Sequence, residues 1–245
     1  MRAIVIASQK GGAGKTTLAA HLAVAAEVTG AGPVVLIDTD PQGSLSDWWN
    51  SREQDTPVLA AASLHDLPAK LVDLAAGGFK LSVIDTPPAI TDQIASVIGL
   101  ADLVVIPVRP SPHDLRAIGQ TVDLAQNAGK PFVFVVMQAK PNARMTTMAI
   151  AALSELGPVA SIIITDRVDF AASMVDGQTV VEVGPAGKSA SEIQALFKAL
   201  NKHLKTKDKV TKKGASDGTQ TEHQFVFVWP HRHEGRGQAG SSRGR

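Results

Sequence analysis

The chain has 245 residues, 44% of them hydrophobic and 19% charged, with a formal net charge of +1. That length and balance suit one α/β domain of about 200 residues with a sizeable core, and no apolar run approaches the roughly 18 residues of a membrane span. It contains no cysteine, which excludes disulfides and thiolate metal sites and fits a cytoplasmic chain.

The N-terminus enters a strand at once, so no signal peptide is expected. The apolar run Ala3-Ile4-Val5-Ile6-Ala7 leads into Ser8-Gln9-Lys10-Gly11-Gly12-Ala13-Gly14-Lys15-Thr16-Thr17. A helical pattern carrying Leu18, Leu22, Ala25 and Ala26 follows. Strand, glycine loop and helix form the context that a phosphate-binding loop requires. Glycines let backbone N–H groups converge on phosphate oxygens, and the helix N-terminus adds positive dipole character. Lys15 is placed to neutralise the β/γ-phosphates, and the Thr16 hydroxyl to reach Mg²⁺. The loop departs from the ordinary pattern: Gln9 stands where a glycine is usual, and a second lysine, Lys10, opens it. The alternative reading of Lys10 is a solvated loop lysine.

A second buried strand, Val34–Ile37, ends at Asp38-Thr39-Asp40-Pro41-Gln42-Gly43. Two carboxylates there face the phosphates of a nucleotide hydrolase, which needs an acid to hold the attacking water or a metal-bound water. The alternative reading of the bare sequence is a pair of turn-forming aspartates before a proline. A helix is expected near 64–76. The strand Leu81–Ile84 ends in Asp85, an apolar strand closed by one acid, which typically holds Mg²⁺ through water. Thr86-Pro87-Pro88 follows it and would be a second switch.

A helix is expected near 91–100, then a strand over Leu103–Ile106. Ser111-Pro112-His113-Asp114 opens a helix over 112–128 with a cap, a proline at the first position and an acid at the third. The strand Phe132–Val136 is followed by Met137 and Gln138. A helix near 145–156 and a strand over Ser161–Ile164 complete the alternation. Strands alternating with helices predict a doubly wound, mostly parallel sheet with helices on both faces, whose ligands sit at the carboxyl ends of the strands.

Ser189-Ala190-Ser191-Glu192 reads as a capping box that starts the last helix. Its apolar stripe is Ile193, Leu196, Phe197, Leu200 and Leu204, and Lys198, Lys202 and Lys205 lie opposite. Residues 206–245 carry eight Lys/Arg against four Asp/Glu, a net +4, and leave −3 for residues 1–205. This tail lacks periodicity and reads as disordered, with an isolated apolar island at Phe225–Trp229. The expected organisation is a nucleotide-binding domain over 1–205 and a basic tail over 206–245. His21, His65, His113 and His203 show no metal-ligand spacing.

The loop Lys10-Gly11-Gly12-Ala13-Gly14-Lys15-Thr16-Thr17 resembles that of the deviant Walker-A ATPases of the ParA and MinD type, at every position of their Lys-Gly-Gly-x-Gly-Lys-Thr-Thr motif. Asp38-x-Asp40-Pro41-Gln42 matches their first switch. Pro107-Val108-x-Pro110-Ser111-Pro112, Asp47-Trp48-Trp49, and the spacing of Ile164–Arg167 and Asp176-Gly177 are similar to the short, ParF-like partition branch. The resemblance covers about residues 1–205. It implies a P-loop fold, ATP and Mg²⁺ as cofactors, and weak ATPase activity stimulated by a partner. It implies that Lys10 crosses a dimer interface to the other subunit's nucleotide, and that Lys10 and Lys15 serve catalysis. Asp38 and Asp40 would order water and Mg²⁺, without a division of roles between them. Thr16, Asp38 and Asp85 would serve the metal. Gly11, Gly12, Ala13, Gly14 and Thr17 would line the phosphates, and Met137 and Gln138 fall where the family reads adenine. An asparagine that many relatives carry there is absent.

The function implied is a partition or positioning switch: ATP builds a homodimer, the dimer binds non-specific DNA, and a ParB-like or cargo-adaptor protein stimulates hydrolysis. The cargo is a plasmid, a chromosome or a protein body, and the switch is expected to be cytoplasmic and nucleoid-associated. The Lys198, Lys202 and Lys205 face suits that electrostatic role, and reads equally as a solvated helix face. The alternative is a MinD-like membrane switch, which needs a short terminal amphipathic helix with bulky apolar residues; no membrane association is expected, because the residues after Leu204 are polar. A metabolic ligase of related fold generally lacks the Lys10-type residue. Asp38, Asp40 and Asp85 argue against a scaffold that has lost hydrolysis. The absence of cysteine excludes an iron–sulfur relative.

Overall fold

The structure, a computed structural model, describes residues 1–89 and 91–213. Six parallel strands form one sheet: β1 (Arg2–Ile6), β2 (Val34–Asp38), β3 (Val58–Ala61), β4 (Leu81–Asp85), β5 (Leu103–Val108) and β6 (Phe132–Val136). They lie in the order β3-β2-β4-β1-β5-β6. The four central strands are continuous apolar runs because helices cover both faces. Alternate residues separate the two layers. Ile4, Ile6, Leu36 and Val83 face one core with Leu18 and Leu22 of α1 (Lys15–Val28) and with α10 (Lys188–Lys213). Val5, Val35, Ile37 and Ile84 face the other with α4 (Asp92–Gly99), α6 (Gly119–Asn127) and α7 (Arg144–Leu156). Among the described residues, no helix is long and apolar enough to cross a membrane.

The doubly wound parallel sheet is as expected, and its edges hold the departures. β3 has no counterpart in the expected strands: Val-Leu-Ala-Ala is short and weakly apolar, yet it pairs with β2 from Val35↔Val58 to Asp38↔Ala61. The segment expected as a strand at 161–164 is not one. Ile164 N donates to Val136 O of β6 at 2.9 Å, but Ser161–Ile163 make no backbone hydrogen bond to that strand; the isolated bridges lie to either side, Val159 to Phe134 and Thr165 to Ala139 beyond the end of β6. The helix expected over 112–128 divides into α5 (Pro112–Arg116) and α6, with Ala117 and Ile118 between them. Its start forms as expected, with the Ser111 hydroxyl accepting from the Asp114 N–H.

The expected capping box at Ser189 does not form. Ser189 Oγ donates to Asp169 at 2.8 Å, while Glu192 accepts from Thr165 N, Thr165 Oγ1 and Arg167 Nη1 at 3.0, 2.8 and 2.6 Å. Tertiary donors hold this glutamate, so it does not turn back on its own helix. A capping box does occur at α9 (Val180–Val183), between Thr179 and Glu182. The apolar stripe of α10 is buried, with Ile193, Leu196, Phe197, Leu200 and Leu204 all at 3% exposure or less. Each such side chain contributes roughly 1.5–3 kcal/mol over an exposed position. The helix runs to Lys213, past the expected boundary at 205; residues 214–245, with the Phe225–Trp229 island, lie outside the described residues.

Candidate functional site

The site is assembled at the carboxyl ends of β1, β2 and β4. Ala7 N donates to Val105 O at 3.1 Å and keeps the chain in the sheet until the loop begins. Gly12 and Gly14 then adopt φ of 73° and 90°, a region that glycine enters without steric cost. At Gly14 a Cβ would also lie 3.1 Å from the Met137 methyl. Gly14 leads into α1, whose N-terminus has no side-chain cap. Its first N–H groups are therefore left for an anion. Leu18 N donates to Gly14 O at 2.9 Å and locks loop to helix. Lys15 is 7% exposed, and its Nζ lies 3.4 Å from Lys10 O within the same loop. Burial lowers its pKa, against the opposing pull of Asp85 and Asp40. A phosphate there would restore the favoured charge state. Gly11, Gly12 and Lys10 are exposed, Ala13 is buried, and Thr16 and Thr17 are half-buried.

Strand register sets the carboxylates. Asp38 pairs with Asp85, and Asp85 with Ile6, so the strands expose their ends at one level. Asp85 is 1% exposed. Thr16 Oγ1 donates to its Oδ2 at 2.6 Å, while Oδ1 has no hydrogen-bond partner. Burial pushes its pKa up to about 7, with Asp38 and Asp40 adding to the rise and Thr16 and Lys15 opposing it. Among the described residues no cluster of three His, Cys, Asp or Glu forms a metal cage. A buried carboxylate with one open oxygen beside a threonine hydroxyl nevertheless fits a Mg²⁺ that arrives with phosphate ligands. Thr39 N and Oγ1 both donate to Asp85 O, at 3.1 and 2.6 Å, and fasten the first switch to β4. Thr86 Oγ1 donates to Ile6 O at 2.8 Å on the other side.

The two switch aspartates differ. Asp38 Oδ1 accepts from Asp40 N at 3.0 Å, and its Oδ2 accepts from Ser46 N and Ser46 Oγ at 2.9 and 3.0 Å. Ser46 lies in α2 (Ser44–Asn50). The Asp40 carboxylate accepts from Gln42 N, through Oδ1 at 3.0 Å. Asp38 is thus engaged on both oxygens, whereas the Asp40 carboxylate engages only Oδ1 and is close enough to Lys15 to favour its charged form.

Beside the loop lies a cleft of about 540 Å³ whose lining includes Lys10, Arg109, Gln138 and Lys140. Gln138 is exposed and has φ 51°, whereas Met137 is buried beneath Gly14. Sequence reasoning gave Arg109 no role. Its Nε and Nη2 fork onto Asp114 at 2.7 and 3.1 Å, and its Nη1 is the atom nearest to where a Gly12 Cβ would stand, at 3.5 Å. Burial alone would raise the Asp114 carboxyl, but the Arg109 fork and the Ser111 hydroxyl hold it below the usual carboxylate range. Ser46 was also missed; a serine in a short turn-helix segment carries no pattern of its own. Lys198 and Lys202 lie apart from this cluster, exposed on α10, and the Lys205 side chain is outside the described residues.

The CobQ/CobB/MinD/ParA nucleotide-binding domain family matches residues 4–181. The chain belongs to this family, as a ParA/MinD-type ATPase. It is 33% identical over 198 residues to the maintenance of carboxysome distribution protein A of Halothiobacillus neapolitanus, covering 77% of this chain and 91% of that one. It is 31% identical over 135 residues to the protein ParA of Rhizobium radiobacter, covering 51% of this chain and 56% of that one. Apo McdA from Cyanothece superposes with a TM-score of 0.67 at 20% identity, over 82% of this chain and 99% of that one. Aquifex aeolicus MinD gives 0.69 at 20% identity, over 82% and 96%. These two share the fold. Every strand end that carries the site falls within the family match.

Proposed function

We propose that this ParA/MinD-type ATPase is a positioning switch that binds ATP, dimerises and hydrolyses the nucleotide slowly until a partner stimulates it. The observation that carries this reading is the pairing of a complete Lys10–Thr17 loop with an Asp40 carboxylate that engages only one of its oxygens and acts electrostatically on Lys15. The amides of Gly11–Lys15 and the Lys15 ammonium bind the β- and γ-phosphates. Thr16 Oγ1 and Asp85 are the residues that would hold Mg²⁺, which supplies charge neutralisation on the phosphate oxygens. Asp40 Oδ2 orients a water toward the γ-phosphorus, so that the bond to the β,γ-bridging oxygen breaks and ADP and phosphate leave. Asp38 anchors the switch, since its oxygens are already engaged. Gln138 lies at the mouth expected for the base, and Met137 supports the loop from below.

Lys10, exposed at the rim, reaches the phosphates bound by a second copy. A symmetric dimer satisfies both sites at once. The ATP-bound dimer binds DNA without sequence preference through Lys198, Lys202 and Lys205, as phosphate contacts do. The match to 91% of a carboxysome distribution protein favours a protein-body cargo and its adaptor over a plasmid and a ParB-like protein. Among the described side chains of α10 the bulky apolar stripe to Leu204 is buried in the core, which disfavours the membrane reading.

Hydrolysis of bound ATP by Asp40→Ala tests the chemical core. Loss of turnover with ATP affinity retained is expected, and wild-type turnover refutes it. DNA binding with ATP across a salt series tests the surface. Removing the three lysines together should lower affinity and flatten the salt slope by up to about one unit per lost contact.

A further inference from the structure

We infer that α2 is a strut that aims the first switch, and that Ser46, Arg52 and Glu182 are positioning residues for ATP hydrolysis although none of them reaches the phosphates. The inference rests on the reading that Asp40 holds the attacking water.

The strut is gripped at both ends. At its start, Ser46 N and Oγ hold Asp38 Oδ2, and Asp38 Oδ1 holds Asp40 N. The Asp40 peptide is therefore two hydrogen bonds away from α2. At its far end, Arg52 lies just beyond the helix, with its side chain only 1% exposed. Its Nη1 donates to Gly177 O at 2.7 Å and to Glu182 Oε2 at 3.2 Å. Its Nη2 donates to Thr56 O and to Glu182 Oε1, both at 2.7 Å. Glu182 Oε2 also accepts from Thr179 N and Oγ1 at 2.8 and 2.9 Å. The guanidinium stacks 4.8 Å over Trp48, whose Nε1 donates to Gln178 O at 3.2 Å.

Gly177 closes the joint. Its φ is 67°, and a Cβ there would sit 2.5 Å from Arg52 N. Two backbones touch at this point, so α2 cannot slide past the loop between α8 (Val168–Met174) and α9.

A buried ion pair is weak evidence for stability, because well-packed apolar residues often do as well. A planar fork with four acceptors instead fixes direction. It anchors the far end of α2, whose Ser46 holds the switch through Asp38. Misplacing a reacting group by about 1 Å can cost roughly a hundredfold in rate, so small drifts of α2 register in turnover before they register in binding. Lys15 and the glycines of the loop, which the reading assigns to the nucleotide, share none of the hydrogen bonds that grip α2.

The test measures ATP affinity, single-turnover hydrolysis and melting temperature of the full chain with Mg²⁺. Ser46→Ala should slow hydrolysis about tenfold or more while ATP affinity stays within about twofold. Ser46→Thr, which keeps a hydroxyl at the same place, should restore the rate. Glu182→Gln should slow hydrolysis in the same sense from the far end of α2. Folded Ser46→Ala and Glu182→Gln variants that hydrolyse at the wild-type rate would overturn the strut, whatever their melting temperatures. If Glu182→Gln does not fold, Ser46→Ala decides alone. Asp40→Ala separates the two ideas: wild-type hydrolysis by that variant removes the water-holding reading, whereas an inactive Asp40→Ala beside a fully active Ser46→Ala removes only the strut.

Discussion

The phosphate loop and the corner where α2 meets α9 lie at two ends of one switch and are built on opposite plans. The loop is ten consecutive residues held by backbone. It has positive-φ glycines, an uncapped helix start and exposed amides. The corner gathers Trp48, Arg52, Thr56, Gly177, Gln178 and Glu182, some 130 positions apart, and holds them by side-chain hydrogen bonds around a buried guanidinium. The loop leaves polar groups for a ligand to satisfy; the corner satisfies almost all of its own, with Arg52 Nε the exception. One end is made to change with its occupant and the other to stay still.

Substitutions at each end should therefore separate binding from stability. Gly177→Ala acts on the corner alone: a left-handed alanine with its Cβ on the Arg52 backbone should cost roughly 3 kcal/mol of stability, read as a lower denaturation midpoint. Lys15→Ala acts on the loop alone. It should weaken ATP binding by calorimetry by roughly a hundredfold, the size of a lost charge-assisted contact of about 3 kcal/mol, and leave the melting temperature of the nucleotide-free chain near wild type.

His21 sits on α1, the helix that begins at the loop, and packs edge-on to Phe170 of α8 at 5.3 Å. Its Nδ1 donates to Thr17 O at 2.8 Å, because a carbonyl can only accept. Burial lowers its pKa to about 4. The unfolded chain takes up this proton below about pH 6.5, and the folded chain only near pH 4. Stability should therefore fall as pH drops through that window, by about 2 kcal/mol between pH 8 and pH 5. Denaturant titrations across pH should show that slope in wild type and lose His21's share of it in His21→Leu. The smallest effect is expected at Ser111→Ala, which removes the α5 cap and should cost about 1 kcal/mol.

The contrast between the regions also explains what the sequence revealed. The loop, the two switch aspartates and Asp85 were legible because each is local: a glycine pattern or an acid at the end of an apolar run. The layer architecture followed from the same alternation. The corner was not legible, because nothing local in Arg52 or Gly177 announces a partner 125 residues away. Glu192 misled for the same reason: Thr165 and Arg167 claimed a carboxylate that its own helix start could have used. β3 was missed because two alanines at an edge carry little apolar signal. The proposed division of labour between Asp38 and Asp40 rests on the Ser46 contacts, and those exist only once α2 has folded back over β2.

The central claim is that bound ATP, and neither ADP nor the empty site, builds the dimer in which hydrolysis is timed. Light scattering of the full chain with ATP and Mg²⁺, with ADP and Mg²⁺, and without nucleotide tests it most directly, with Lys10→Ala run beside wild type. The account predicts a wild-type dimer with ATP alone and a Lys10→Ala monomer in all three conditions. A wild type that stays monomeric with ATP, or a Lys10→Ala variant that dimerises as wild type does, would contradict it.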